Sequence, residues 1–146
     1  MNRRTFLRFA SALPLLVIAG CATGPKLAEV QSTIPPVRSG RGRIWFYRSG
    51  SAFGSGIQPS VLLNGEKIGD SVPGGVFYRD VSPGDYNVLL STEVDRRLTF
   101  TVASGGERFV RMSVSLGVLI YRVYPELVDA VEARGEIASL AFTGGS

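Results

Sequence analysis

The chain has 146 residues, enough for one domain with its own core and too few for two, and its 18 Gly and 8 Pro favour short strands and turns over long helices. Its formal charge of +4 reads as basic, yet Arg3, Arg4 and Arg8 fall in the first eight positions, and without them 13 basic residues face 12 acidic ones. A nucleic-acid-binding domain is therefore not indicated. The absence of His removes the commonest general base and metal ligand, and a single Cys excludes an internal disulfide. No metal and no cofactor are expected.

The amino terminus reads as an export signal. A basic stretch over residues 2–9 precedes an apolar one over residues 10–20, interrupted by Pro14 and too short for a bilayer core that needs roughly 20 apolar residues. Residues 1–20 are expected to be removed, and residues 21–40, with Pro35-Pro36 and no sustained period, to form a flexible tether. A single domain is expected over residues 41–142, with residues 143–146 a flexible tail.

Within that domain the predicted elements are mostly strands. Ile44-Trp45-Phe46-Tyr47 is an aromatic and β-branched run with two apolar faces. Asn64-Gly65, between Val61-Leu62-Leu63 and Glu66 to Gly69, is the sequence of a type I′ hairpin. Further strands are predicted at Val76 to Asp80 and, after the turn Ser82-Pro83-Gly84-Asp85, at Tyr86 to Leu90. Alternation points Leu98, Phe100 and Val102, then Val110, Met112 and Val114, inward. A last strand is predicted from Val118 to Tyr124, closed by Pro125. Asp129 with Glu132 forms a capping-box pattern, and Ala130, Ala133, Ile137, Leu140 and Ala141 follow at helical spacing. The expected fold is mainly β: an antiparallel β-sandwich of seven to eight short strands with one short C-terminal helix, which covers the second apolar face of the first strand.

Two motifs in the leader carry resemblances. Val17-Ile18-Ala19-Gly20-Cys21 resembles the lipobox of bacterial lipoproteins, with Ile18, Ala19 and Gly20 ahead of the cysteine that becomes acylated. Arg3-Arg4-Thr5-Phe6-Leu7-Arg8 is similar to the twin-arginine export motif through Arg3, Arg4, Phe6 and Leu7. With Ala22 rather than Asp after the cysteine, the resemblance implies a covalent lipid on Cys21 and a place in the cell envelope, at the outer membrane facing the periplasm. Over residues 41–142 the order of strand, Gly/Ser loop, Asn-Gly hairpin and Pro-Gly turn resembles a family of uncharacterised bacterial lipoproteins with a PEGA-like or transthyretin-like sandwich, a domain of unknown function. That resemblance implies no reaction.

Catalytic signatures are weak. Ser49-Gly50-Ser51-Ala52-Phe53-Gly54-Ser55-Gly56 lacks the Gly-Lys-Ser/Thr ending of a phosphate loop and reads as a flexible crossover. Lys26 and Lys67 fall on a tether and an exposed hairpin, unsuited to a Ser-Lys dyad. Glu93 and Asp95, beside Arg96-Arg97, read as a solvated hairpin. Trp45 and Tyr47, if left uncovered by the helix, would form with Arg43, Arg48 and Arg79 a docking surface for a protein, a glycan or lipid headgroups.

The function expected is thus a non-enzymatic binding or scaffold module on the membrane, its partner an unidentified envelope protein or glycan. Two alternatives stand beside it: a structural protein that self-associates through a sheet edge, and a hydrolase using Glu93, Asp95 or Asp80.

Overall fold

The computed structural model describes residues 20–146, so the residues Arg3, Arg4, Phe6, Leu7, Ile18 and Ala19 of the two leader motifs lie outside the described part. Nine strands follow in order: β1 (Gly42–Tyr47), β2 (Ser60–Leu63), β3 (Glu66–Asp70), β4 (Gly75–Val81), β5 (Gly84–Ser91), β6 (Asp95–Val102), β7 (Glu107–Leu116), β8 (Tyr121–Val128) and β9 (Ala141–Gly145). A short helix α1 (Leu27–Val30) precedes them, and α2 (Ala130–Ile137) separates β8 from β9. The sheets run β8-β7-β1-β4-β9 and β3-β2-β5-β6.

This is the expected β-sandwich, with two pairings of another kind. β1 lies parallel to β7, and β4 parallel to β9, while the remaining pairs are antiparallel. Alternation of side chains sends Ile44 and Phe46 into the space between the sheets, where Val61, Val88, Leu90, Phe100, Val102, Val110, Met112 and Val123 meet them. Trp45 and Tyr47 point to the outer face, into a second core closed by Leu27, Ala133 and Ile137. Each large apolar side chain so buried contributes roughly 1.5–3 kcal/mol, so β1, all six of whose residues are buried, anchors both layers.

Local chemistry sets the turns. Asn64 and Gly65 have φ of 49° and 85°, the pair of left-handed residues that a type I′ turn requires. At α2, the Asp129 carboxylate accepts from the Val131 N–H and caps the helix. Glu132 does not complete a capping box, because its carboxylate is held by Arg111 on β7.

Three boundaries differ from expectation. Residues 22–34 are docked rather than free: the Leu27 and Ala28 N–H groups donate to Leu140 and Ala138, Ala22 N–H donates to Pro73, and Leu27 is buried on the outer core. The apolar Leu27 has a covered site available, and this outweighs chain entropy. The terminal residues are also ordered: Ala141 to Gly145 pair with β4, and the Asp80 N–H donates to the Ser146 carbonyl. Finally, the last predicted strand begins at Tyr121 and runs through Pro125, which β8 tolerates because it is an edge strand.

Candidate functional site

A cleft of about 820 Å³ opens on the outer face of the larger sheet, between α2, β7, β8 and the loop after β1. Sheet register builds its floor. Parallel pairing sets Arg111 beside Tyr47, and antiparallel pairing sets Glu126 beside Arg111, so three consecutive strands present one polar row. The helix adds Glu132 and Glu136, one turn apart on the same face.

Arg111 is the hub of this row. Its Nε donates to Glu126 at 2.6 Å, and one terminal nitrogen donates to Glu132 at 2.9 Å and to Glu136 at 2.7 Å. Ser113 donates to the same Glu126 oxygen at 2.8 Å, and the Tyr47 hydroxyl donates to the other oxygen of Glu136 at 2.5 Å. Burial acts to lower the Arg111 guanidinium, but its bonds to Glu126 and Glu132 outweigh this and hold it above its ordinary value. Burial, and then the bond to Glu136, push the Tyr47 phenol up, so it stays protonated as a donor. The charged residues that line the cleft balance, Arg48 and Arg111 against Glu126 and Glu136, and Glu132 adds one formal negative charge at the exposed rim. Such a wall favours an ammonium or guanidinium group, or a hydroxyl-rich ligand over Phe53 and Tyr124.

Arg48, beside the cleft, is 1% exposed. Its guanidinium donates to the carbonyls of Gly54 and Ser71 at 2.8 Å and of Ile57 at 2.7 Å, gripping the Gly/Ser loop that reads in sequence as a flexible crossover. Burial pulls its pKa below the ordinary arginine value. Carbonyl dipoles replace its water.

The residues grouped in sequence as a docking surface are thus interior. Trp45 and Tyr47 are covered by α2 and α1, because a two-faced apolar strand gains more from burial than from display. Trp45 Nε1 donates to Glu107 at 3.1 Å. Arg43 lies over the Tyr78 ring and makes a two-pronged pair with Asp80 at 2.6 and 2.9 Å, while Arg79, half-buried, donates to the Tyr78 carbonyl. Among these residues Tyr47 and Arg48 alone border the cleft.

The proposed acids do not converge either. Asp80, on β4, is occupied by Arg43 of β1. Glu93, at the β5–β6 turn, accepts from the Val118 and Leu119 N–H groups at 2.9 and 2.5 Å and from Arg122 at 2.7 Å, and these bonds pull its pKa below the ordinary carboxylate value. Asp95 accepts from Ser91. No group of three or more Cys, Asp or Glu side chains among the described residues is arranged to hold a metal.

Sequence pattern marks Glu132 only as a capping residue and does not mark Arg111, Glu126 or Glu136 as site residues. The Glu132/Glu136 spacing behind a capped start is the one visible sign; Arg111 and Glu126 depend on the antiparallel β7–β8 pair and on β7 lying parallel to β1.

Cys21 and Gly20 are exposed, the Cys21 thiol is free, and the Gly20 carbonyl accepts from Gln58 at 3.0 Å. No helix among the described residues is long and apolar enough to cross a membrane.

Fold and site together define a small two-sheet β-sandwich protein with a polar cleft lined by paired charges on one outer face. Residues 38–124, more than half of the chain, match the family described as "Protein of unknown function (DUF2846)", and the chain belongs to that family. It is also similar to an uncharacterised protein of Haemophilus influenzae, with 25% identity over 143 residues that cover 94% of this chain and 84% of the relative. No solved structure matches it.

Proposed function

We propose that this protein is a bacterial envelope lipoprotein, exported behind a twin-arginine-like signal and acylated on Cys21. It acts as a non-enzymatic binding or scaffold module at the outer membrane, facing the periplasm. The observation that carries this reading is the exposed Cys21 at the end of Val17-Ile18-Ala19-Gly20, directly before the point where Ala22 docks on the domain. The Asn64-Gly65 hairpin and the Pro83-Gly84 turn accord with a PEGA-like or transthyretin-like sandwich.

The cleft supports binding rather than hydrolysis. Glu126 and Glu136 both bond Arg111, and Glu136 also holds the Tyr47 proton, so neither is poised as a free base. The ligand best suited is an envelope glycan or protein segment that offers an amine and hydroxyls.

Metabolic labelling with a palmitate analogue tests the anchor. The wild-type chain takes up label, and Cys21→Ala takes up none; equal labelling of the two would overturn the assignment.

A further inference from the structure

Eight large hydrophobic side chains are exposed among the described residues, and six of them share one end of the sandwich: Phe53, Val94, Leu116, Val118, Leu119 and Ile120. Topology places them together. β7 runs parallel to β1, so its far end, Leu116, lies at the end where β1 leaves the sheet toward the Phe53 loop. The Phe53 ring sits 4.4 Å from that of Tyr121, and the β5–β6 turn carrying Val94 reaches the same place through Glu93.

The apolar tip is built, not slack. Glu93 binds two of its N–H groups and Arg122, Gly117 N–H donates to the Ile120 carbonyl at 2.9 Å, and a methyl group on Gly117 would overlap both Glu93 and Ile120. Val118 and Leu119 are 83% and 86% exposed all the same. A fold that spends a carboxylate and an arginine on holding bare aliphatic side chains in water leaves them for contact with something apolar.

Cys21 emerges at this end too. Ala22 bonds Pro73 in the loop before β4, and β4 starts where β1 ends. Across the sheet β7 and β4 lie two strand spacings apart, roughly 10 Å, and β7 overhangs the end of β1 by the residues that follow Arg111, up to Leu116. The Cys21 attachment point therefore lies at the same pole.

We propose that this pole is a phospholipid-contacting face. Leu116 and the 118–120 tip, with Phe53 and Val94 beside them, seat at the boundary of headgroups and acyl chains, while the exposed Arg96, next to the exposed Arg97–Asp95 pair, meets anionic headgroups. The proposal rests on acylation of Cys21 and adds to it a fixed orientation: the domain lies on the membrane, pole down.

The test uses the processed protein as extracted from membranes, reconstituted in vesicles of phosphatidylethanolamine and phosphatidylglycerol. Leu119→Cys and Val131→Cys chains are labelled with a thiol-reactive fluorophore, and lipids carrying a spin label on the acyl chain are added as quencher. Val131 is 83% exposed on α2, away from the pole, and serves as the reference. With Cys21 acylated, one dye is taken up per chain; the dye at 119 loses most of its emission to the quencher, and the dye at 131 keeps it. One dye per chain with an unquenched 119 overturns the lipid-facing pole and leaves the anchor standing, which would give the tip to a protein partner. Two dyes per chain show Cys21 unmodified, and the anchor and the proposal fall together.

Discussion

At the scale of single residues, Arg48 shows how a sequence feature can be seen and misplaced. A basic residue at the end of an aromatic strand invites an exposed role. Here its side chain turns inward to bond three loop carbonyls that would otherwise lack donors. Each buried group left unpaired costs about 1–3 kcal/mol, partly offset by release of a buried charge and by water entering the loop. Arg48→Met is expected to lower stability by about 2–3 kcal/mol. A lower urea midpoint at unchanged slope, with faster amide exchange over residues 49–57, would bear this out; an unchanged midpoint would show the loop holds itself. Arg111 is the counterpart, a residue that reads as ordinary on a strand and becomes the hub of a cleft.

At the scale of elements, the terminal strand is the clearest case. Ala141-Phe142-Thr143-Gly144-Gly145 has no alternation to mark it as a strand: in sequence Ala141 reads as the end of the helical pattern and residues 143–146 as a tail. It becomes a strand because the edge of β4 is open and Phe142 can stack on Tyr78 at a ring distance of 6.1 Å. Ending the chain after Leu140 removes that cover and exposes the edge. The truncated protein is expected to lose about 2 kcal/mol or more and to associate as concentration rises. Thermal melting and light scattering read both effects; a monomer with an unaltered melt would count against β9 as a structural strand. The other edges are blunted, by Pro125 in β8, by Lys67 and Asp70 in β3, and by Asp95, Arg96 and Arg97 in β6, which weakens the reading of a self-associating envelope protein.

At the scale of the whole molecule, two apolar clusters share one strand. Ile44 and Phe46 belong to the core between the sheets, while Trp45 and Tyr47 belong to the layer under α2 and α1. Loss of either layer strips one side of β1. Unfolding followed by the single tryptophan and by far-ultraviolet circular dichroism should therefore coincide, with no effect of reductant since no disulfide exists. Transitions that separate would show that the helical layer comes away on its own.

Much of the strand content was legible before the structure, because alternation, β-branched runs and the Asn64-Gly65 turn are local properties of the chain. So was the capped start of α2, and so was the covering of Trp45 and Tyr47, since an apolar face must be met by something. What tertiary structure alone decided are the relations between distant segments: the parallel contact of β1 with β7 that assembles Tyr47, Arg111 and Glu126, the docking of residues 22–34, and the gathering of Cys21 with the Leu116 to Ile120 tip at one pole. Local sequence sets which face of a strand is apolar. Which strand lies beside it depends on how all the apolar faces are covered at once, a choice the whole chain makes together.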